Sequence, residues 1–171
     1  MSSVVLSIGS NLGDRLAHLQ SVVDGLGGSV RAVSPVFETE AWGGVEQGAF
    51  LNAVVLADDP ELDGPGWLRR AHELEDAAQR IREQHWGPRT LDVDIVTCRD
   101  GDDDVRSADP VLTLPHPFAH QRAFVLAPWL AVDQEAVLTI DGETRSVREL
   151  LAELGDAERD GVRPTDLVLD R

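Results

Sequence analysis

The sequence predicts an α+β fold, an antiparallel sheet with helices packed on it, and three observations carry that prediction. Apolar runs of strand length and two stretches of helical spacing follow one another in the order β-α-β-β-α-β. With 171 residues and 42% hydrophobic side chains, the chain can bury the core of one domain. No internal repeat and no separating linker breaks it, so residues 1–171 are expected to form a single domain.

Residues 4–8 are a short apolar run ending in Gly-Ser-Asn, which reads as a buried strand and a turn. Leu12, Leu16, Leu19, Val23 and Leu26 recur at helical spacing until Gly27-Gly28 stops them. Gly9-Ser10-Asn11 with Gly13-Asp14-Arg15 resembles a phosphate-binding turn but lacks the spacing of a dinucleotide fingerprint. Its role is read as structural, a capped strand-to-helix turn. Residues 30–37 read as a second strand. Residues 38–48 are rich in glycine and charge, a loop long enough to suggest function.

Residues 50–56 form a third strand, closed by Asp58-Asp59-Pro60. Gly64-Pro65-Gly66 then opens a helix whose apolar face is Leu68, Ala71, Leu74, Ala78 and Ile81. Residues 84–90 are an irregular loop, residues 91–98 a fourth strand, and the acidic stretch 100–104 a solvated turn. Residues 111–114, 124–130 and 147–154 are further short elements. After Gly155 the chain is charged and poorly patterned; it is expected to be loosely ordered, with residues 167–169 extended. The whole order matches the ferredoxin-like plan.

Composition narrows the function. The formal charge is -16, from 15 basic and 31 acidic side chains, which argues against a nucleic-acid partner. Every basic side chain is arginine. The absence of lysine excludes a Walker phosphate loop, a protein-kinase fold and Schiff-base chemistry, so any ATP must be held by arginine, histidine and metal ions. Cys98 stands alone in an apolar run and reads as a buried structural thiol. The chain start lacks a basic signal-peptide region, and no apolar run reaches membrane-span length, so a cytoplasmic protein is expected.

The segment Leu91-Asp92-Val93-Asp94-Ile95-Val96 is the most informative. Side chains alternate along a strand, so Val93 and Ile95 face one way and Asp92 and Asp94 the other, roughly 7 Å apart at Cα. Such a pair repels itself unless water or cations neutralise it. Magnesium takes carboxylate oxygens plus substrate phosphates; a solvent-facing strand surface is the plainer alternative.

Trp86-Gly87-Pro88-Arg89-Thr90 stands immediately before. Trp86 suits a flat ligand or the core, and Arg89 suits phosphate or a salt bridge to the aspartates. Arg80 and Arg82 end the second helix, where the helix dipole alone would favour them. Downstream lie Pro115-His116-Pro117 and Arg122. His116 between two prolines is as well placed to bind a ligand as to support the loop. Together four arginines and a histidine are available to a triphosphate, and guanidinium pairs with phosphate bidentately. On the third strand Phe50 and Asn52 share a face. Asn52 needs partners for its donors and its acceptor, which a heterocycle edge or a loop backbone would supply. Phe124 suits a second stacking wall or the core.

In this order these segments resemble the 6-hydroxymethyl-7,8-dihydropterin pyrophosphokinase family. The matching pieces are Ser7-Ile8-Gly9-Ser10-Asn11-Leu12-Gly13-Asp14, Phe50-Leu51-Asn52-Ala53, Arg80-Ile81-Arg82, Trp86 through Ile95, Leu114-Pro115-His116-Pro117 and Arg122-Ala123-Phe124. The resemblance implies transfer of pyrophosphate from ATP to a pterin hydroxymethyl oxygen, with release of AMP and with two Mg2+ ions. It implies that Asp92 and Asp94 hold both metals. Phe50 and Phe124 would sandwich the pterin and Asn52 read its edge, helped by the backbone near Thr39 and Trp42. Glu75, Arg80, Arg82, Trp86, Arg89, Ile95, His116 and Arg122 would serve ATP, with Arg80, Arg82 and Arg89 catalytic. Arg82 and Trp86 would lie on a loop that closes over both substrates. Glu40 departs from the pattern, standing where the family usually has proline, and Gln79 stands in place of a common glycine.

The implied partners are small molecules only, with no membrane and no nucleic acid, and the implied state is a monomer. Two rivals remain at this point. One is a non-catalytic ferredoxin-like binding module; the other is a two-metal nucleotidyltransferase or nuclease, which the charge disfavours.

Overall fold

The computed structural model describes residues 2–40, 48–78 and 90–171. Trp42, Arg80, Arg82, Trp86 and Arg89 lie outside the described residues. The chain order is β1 (Ser2–Ser10), α1 (Arg15–Leu26), β2 (Val30–Val33), β3 (Phe37–Thr39), β4 (Phe50–Asp59), α2 (Gly64–Ala77) and β5 (Asp92–Asp100). Short pieces follow: β6 (Asp103–Asp104), β7 (Ser107–Asp109), β8 (Leu112–Leu114), α3 (Ala123–Val132), β9 (Val137–Ile140), β10 (Glu143–Ser146), α4 (Val147–Glu153), α5 (Asp156–Asp160) and β11 (Val162–Pro164).

The main sheet runs β11-β3-β4-β1-β5-β6, with β2 also on β4, and its pairings are antiparallel. Hydrophobic β1 therefore lies at the centre between β4 and β5, the ferredoxin-like order expected above. The second strand is split by Ser34-Pro35, because proline has no N–H for the ladder.

Alternation sorts the sheet into two faces. Val4, Leu6 and Ile8 of β1, Ala53 and Val55 of β4, and Val93 and Ile95 of β5 pack under α1 and α2, against Leu19, Val22, Trp67 and Leu74. Asp14 caps α1 by accepting from the Ala17 N–H at 3.1 Å, and Asp63 caps α2 through the Gly66 N–H at 2.8 Å. The other face is covered along part of its length: α3, α4 and the β9–β10 hairpin bury Val54 and Val96 with Leu126, Trp129, Leu138 and Val147. The strand ends nearest Ser7, Gly9, Asn52 and Asp92 emerge from under that cover. A bulge helps. Leu6 pairs with Ile95 and Val5 with Thr97, so Val96 is the extra residue. The shift resets alternation, returning Cys98 to the first core while Asp92 and Asp94 stay on the second face. Cys98 is the buried thiol expected, its pKa raised by burial first and then by Asp100 and Asp63.

The tail corrects the expectation of loose order. After α5, β11 pairs with β3, and Leu169 enters the first core. Thr165 Oγ1 donates to the Val36 carbonyl at 2.7 Å, and Gln20 exchanges two hydrogen bonds with the Asp170 backbone. An edge strand recruits its partner through backbone N–H and C=O groups, which apolar patterning does not report.

Candidate active site

Cross-strand partners point to the same face, so the register builds the site row by row. Gly9 of β1 pairs with Asn52 on one side and Asp92 on the other. Ser7 pairs with Val54 and with Asp94. Beside them Phe50 pairs with Thr39 and Asn52 with Phe37. The alternation read from the sequence is thus present: both aspartates share the face opposite Val93 and Ile95.

Above these rows opens a cleft of about 790 Å³. It gathers Thr39, Phe50, Asn52, Glu75, Asp92, Asp94, Ile95, His116, Arg122 and Phe124. Ten of the fifteen residues singled out from sequence are therefore brought together; the other five are those outside the described residues.

Each wall has a local cause. Phe124 comes from the first turn of α3, and Arg122 is that helix's N-cap residue. Their side chains stack, the Arg122 guanidinium lying 5.5 Å from the Phe124 ring centre and 5.7 Å from that of Phe118. Phe118 was not singled out from sequence and is half exposed at the cleft. Glu75 is 2% exposed, and its Oε2 accepts the Val93 N–H at 2.9 Å. That stretch of β5 lies beyond the reach of β6, so a carboxylate from α2 serves its open edge. Ile95 borders the cleft with its side chain in the core.

Gly9 is the main residue the sequence reading passed over. It is a strand residue rather than part of a turn. A Cβ there would stand 2.8 Å from Asn52 Nδ2 and 3.5 Å from Phe50 Cδ1. The absence of a side chain lets the Asn52 amide lie over the sheet. Asn52 and Thr39 are nearly buried, yet Asn52 Oδ1 and Thr39 Oγ1 have no hydrogen-bond partner among the described residues. Buried polar atoms left so are rare and mark a place for a ligand edge or water.

His116 follows the cis Leu114–Pro115 bond. Its backbone N–H donates to the Val96 carbonyl at 2.8 Å, and its Nδ1 accepts the Phe118 N–H at 3.2 Å. A ring that accepts at Nδ1 carries its proton at Nε2. Burial first, then the Arg122 charge, lower its pKa, partly offset by Asp92. The sign follows. A histidine with a lowered folded pKa favours folding fully above its unfolded value of about 6.5, and that benefit is lost as pH falls through the folded value. The wild-type advantage in urea midpoint over His116→Asn is therefore expected to shrink from about pH 7.5 to about pH 5. A pH-independent difference would contradict this assignment.

The donor set suits magnesium. Asp92 and Asp94 are half-buried on one face, and no group of three or more His, Cys, Asp or Glu able to hold a metal occurs among the described residues. Magnesium commonly takes one or two carboxylates, leaving its other positions to phosphate and water.

An α+β sheet thus lines one cleft with an acidic pair, Asp92 and Asp94, a buried amide, Asn52, and two phenylalanines, Phe50 and Phe124, a mix of apolar walls and a few polar groups that is typical of small-molecule sites. A family model described as 7,8-dihydro-6-hydroxymethylpterin-pyrophosphokinase (HPPK) matches residues 5–134, and the chain belongs to that family. The 2-amino-4-hydroxy-6-hydroxymethyldihydropteridine pyrophosphokinase of Mycobacterium tuberculosis is 58% identical over 168 residues, covering 95% of this chain and 89% of the relative. That of Mycobacterium leprae is 59% identical over 175 residues, covering 99% and 92%. A crystal structure of a double variant of Plasmodium falciparum HPPK-DHPS with pterin and p-hydroxybenzoate shares the fold at a TM-score of 0.63 and 13% identity, over 89% of this chain and 43% of that one. Among the described residues no helix is long and apolar enough to cross a membrane.

Proposed function

We propose that this chain transfers pyrophosphate from ATP to the hydroxymethyl group of 6-hydroxymethyl-7,8-dihydropterin, releasing AMP, as a step of folate biosynthesis. Family membership supports the reaction, and the observation that supports its placement is the Asp92–Gly9–Asn52 row, which joins a carboxylate to a buried amide oxygen without a hydrogen-bond partner among the described residues. Asn52 and Thr39 would bind the pterin edge, with Phe50 and Phe124 against its faces. Asp92 and Asp94 would hold two magnesium ions, which supply charge neutralisation to the triphosphate and the attacking oxygen.

The chain's own groups do the rest. The hydroxymethyl oxygen would attack the β-phosphorus and give its proton to water, while the bond from the β-phosphorus to the α–β bridging oxygen breaks and AMP leaves. Positioning and charge stabilisation dominate such transfers, so no dedicated general base is assigned. Arg122 and the Nε2–H of His116 would face the phosphates, and Glu75 and Ile95 would border the ATP end. Arg80, Arg82, Arg89, Trp86 and Trp42 keep the roles the resemblance implies. We read the chain as a monomeric, cytoplasmic, single-domain enzyme with small-molecule substrates only.

The test is AMP release with hydroxymethyldihydropterin, without it, and with an oligonucleotide instead. Release that needs the pterin is expected. Release supported by the oligonucleotide, or unaffected by pterin, would overturn the reading.

A further inference from the structure

Both described flanks of segment 41–47 are tied down, and by partners distant in the chain. On the leading side the Glu40 N–H donates to the Gly161 carbonyl at 3.4 Å, and the Glu40 carboxylate pairs with Arg163 at 3.1 Å. On the trailing side Arg15 Nη1 donates to the Ala49 carbonyl at 2.9 Å, and Asn11 Nδ2 donates to the Gly48 carbonyl at 3.1 Å. Glu38 joins the two sides, accepting from Arg163 at 3.0 Å and from Arg15 at 3.4 Å. The charges alternate along Arg15–Glu38–Arg163–Glu40, and Thr39 and Glu40 are cleft wall.

Three features separate Arg163 from an ordinary surface cation. It is shared between two carboxylates and holds the Glu38 pKa down, the largest cause of that shift. It sits on β11, in register with Glu38, with Val162 opposite Thr39. It also lies past residue 134, where the match to the family model ends. Glu40, its partner, is thus held twice from outside β3, by its N–H on the Gly161 carbonyl and by its carboxylate on Arg163.

We infer that Arg163 and Glu38 are positioning residues for the pterin, and that β11 acts as a strut fixing the Thr39 wall against Phe50 through this ionic relay. The inference rests on the reading that the Thr39–Asn52 end of the cleft takes the pterin. Exposed ion pairs add little to global stability, so losing Arg163 is expected to change binding rather than folding.

The experiment is steady-state kinetics of Arg163→Gln in the full chain at low salt. The KM for hydroxymethyldihydropterin is expected to rise about three- to five-fold, with the KM for ATP and the melting temperature unchanged. Salt at about 0.5 M is expected to close most of that gap. Arg163→Lys is expected to recover part of it, since an ammonium is a point charge without the guanidinium fork. Glu40→Gln combined with Arg163→Gln is expected to cost less than the two effects multiplied. An unchanged pterin KM, an equal rise in both KM values, or a gap insensitive to salt would overturn the strut. Asn52→Ala separates the causes of failure. If it raises the pterin KM while Arg163→Gln does not, the strut alone is wrong; if it has no effect, the reading of that end fails and the strut with it.

Discussion

Replacing Asp92 or Asp94 by alanine is expected to lower single-turnover AMP formation by a factor on the order of 10³ or more, because each removes a carboxylate that would hold the magnesium ions neutralising the phosphates. The fold is expected to survive. β5 is held by its ladder to β1 and by Val93 and Ile95 in the core beneath α1 and α2, none of which the substitutions touch. Both aspartates are half-buried on the opposite face, at the cleft. Asp92→Asn and Asp94→Asn keep the shape and remove the charge, so they are expected to fail nearly as badly. Val93→Ala is the contrasting control. It empties part of the core and lowers stability while leaving the acidic face in place. Turnover and magnesium dependence close to wild type in either aspartate variant would remove these residues from catalysis.

Gly9→Ala is expected to raise the pterin KM by about ten-fold or more, the loss that follows when a buried polar group can no longer meet its partner. A Cβ at position 9 would sit 2.8 Å from Asn52 Nδ2, too close for either atom to stay. The atom that must yield is the end of a side chain rather than backbone, since the Leu51 carbonyl stands at 3.6 Å. The fold therefore absorbs the methyl group by turning Asn52 away. The three atoms nearest that Cβ belong to Asn52, Phe50 and Leu51 rather than to the neighbouring Asp92, so the KM for ATP is expected to stay put. Parallel loss of both substrates, or a collapse in melting temperature, would mean that Gly9 supports the sheet rather than the amide.

How far the sequence could be read depended on the kind of signal each residue leaves. Val93 and Ile95 alternate with Asp92 and Asp94, so the outward direction of the two aspartates followed from period alone, whereas residues 4–8 show only an apolar run. Phe50 and Asn52 followed likewise. Gly9 did not, because Gly-Ser-Asn at the end of an apolar run has the composition of a turn. Yet it stands in phase with Ser7, opposite Ile8, and a glycine there marks a close approach by a neighbouring side chain. Phe118 was hidden for a different reason. Its contact with Arg122 depends on how the chain folds after Pro117, which no short-range pattern encodes. The order in the tail was missed because β11 is held by backbone pairing and by Arg163, not by an apolar stripe. The helix over residues 124–130 was legible only as a short apolar element, since α3 is apolar nearly all round and carries Pro128.

The sharpest test is a count of divalent ions. With Mn2+ replacing Mg2+, a non-hydrolysable ATP analogue and hydroxymethyldihydropterin, electron paramagnetic resonance titration of the wild-type chain is expected to give two bound ions per protein, and Asp92→Asn with Asp94→Asn fewer than one. Equal stoichiometry in the two proteins would mean that this acidic pair does not gather the metal.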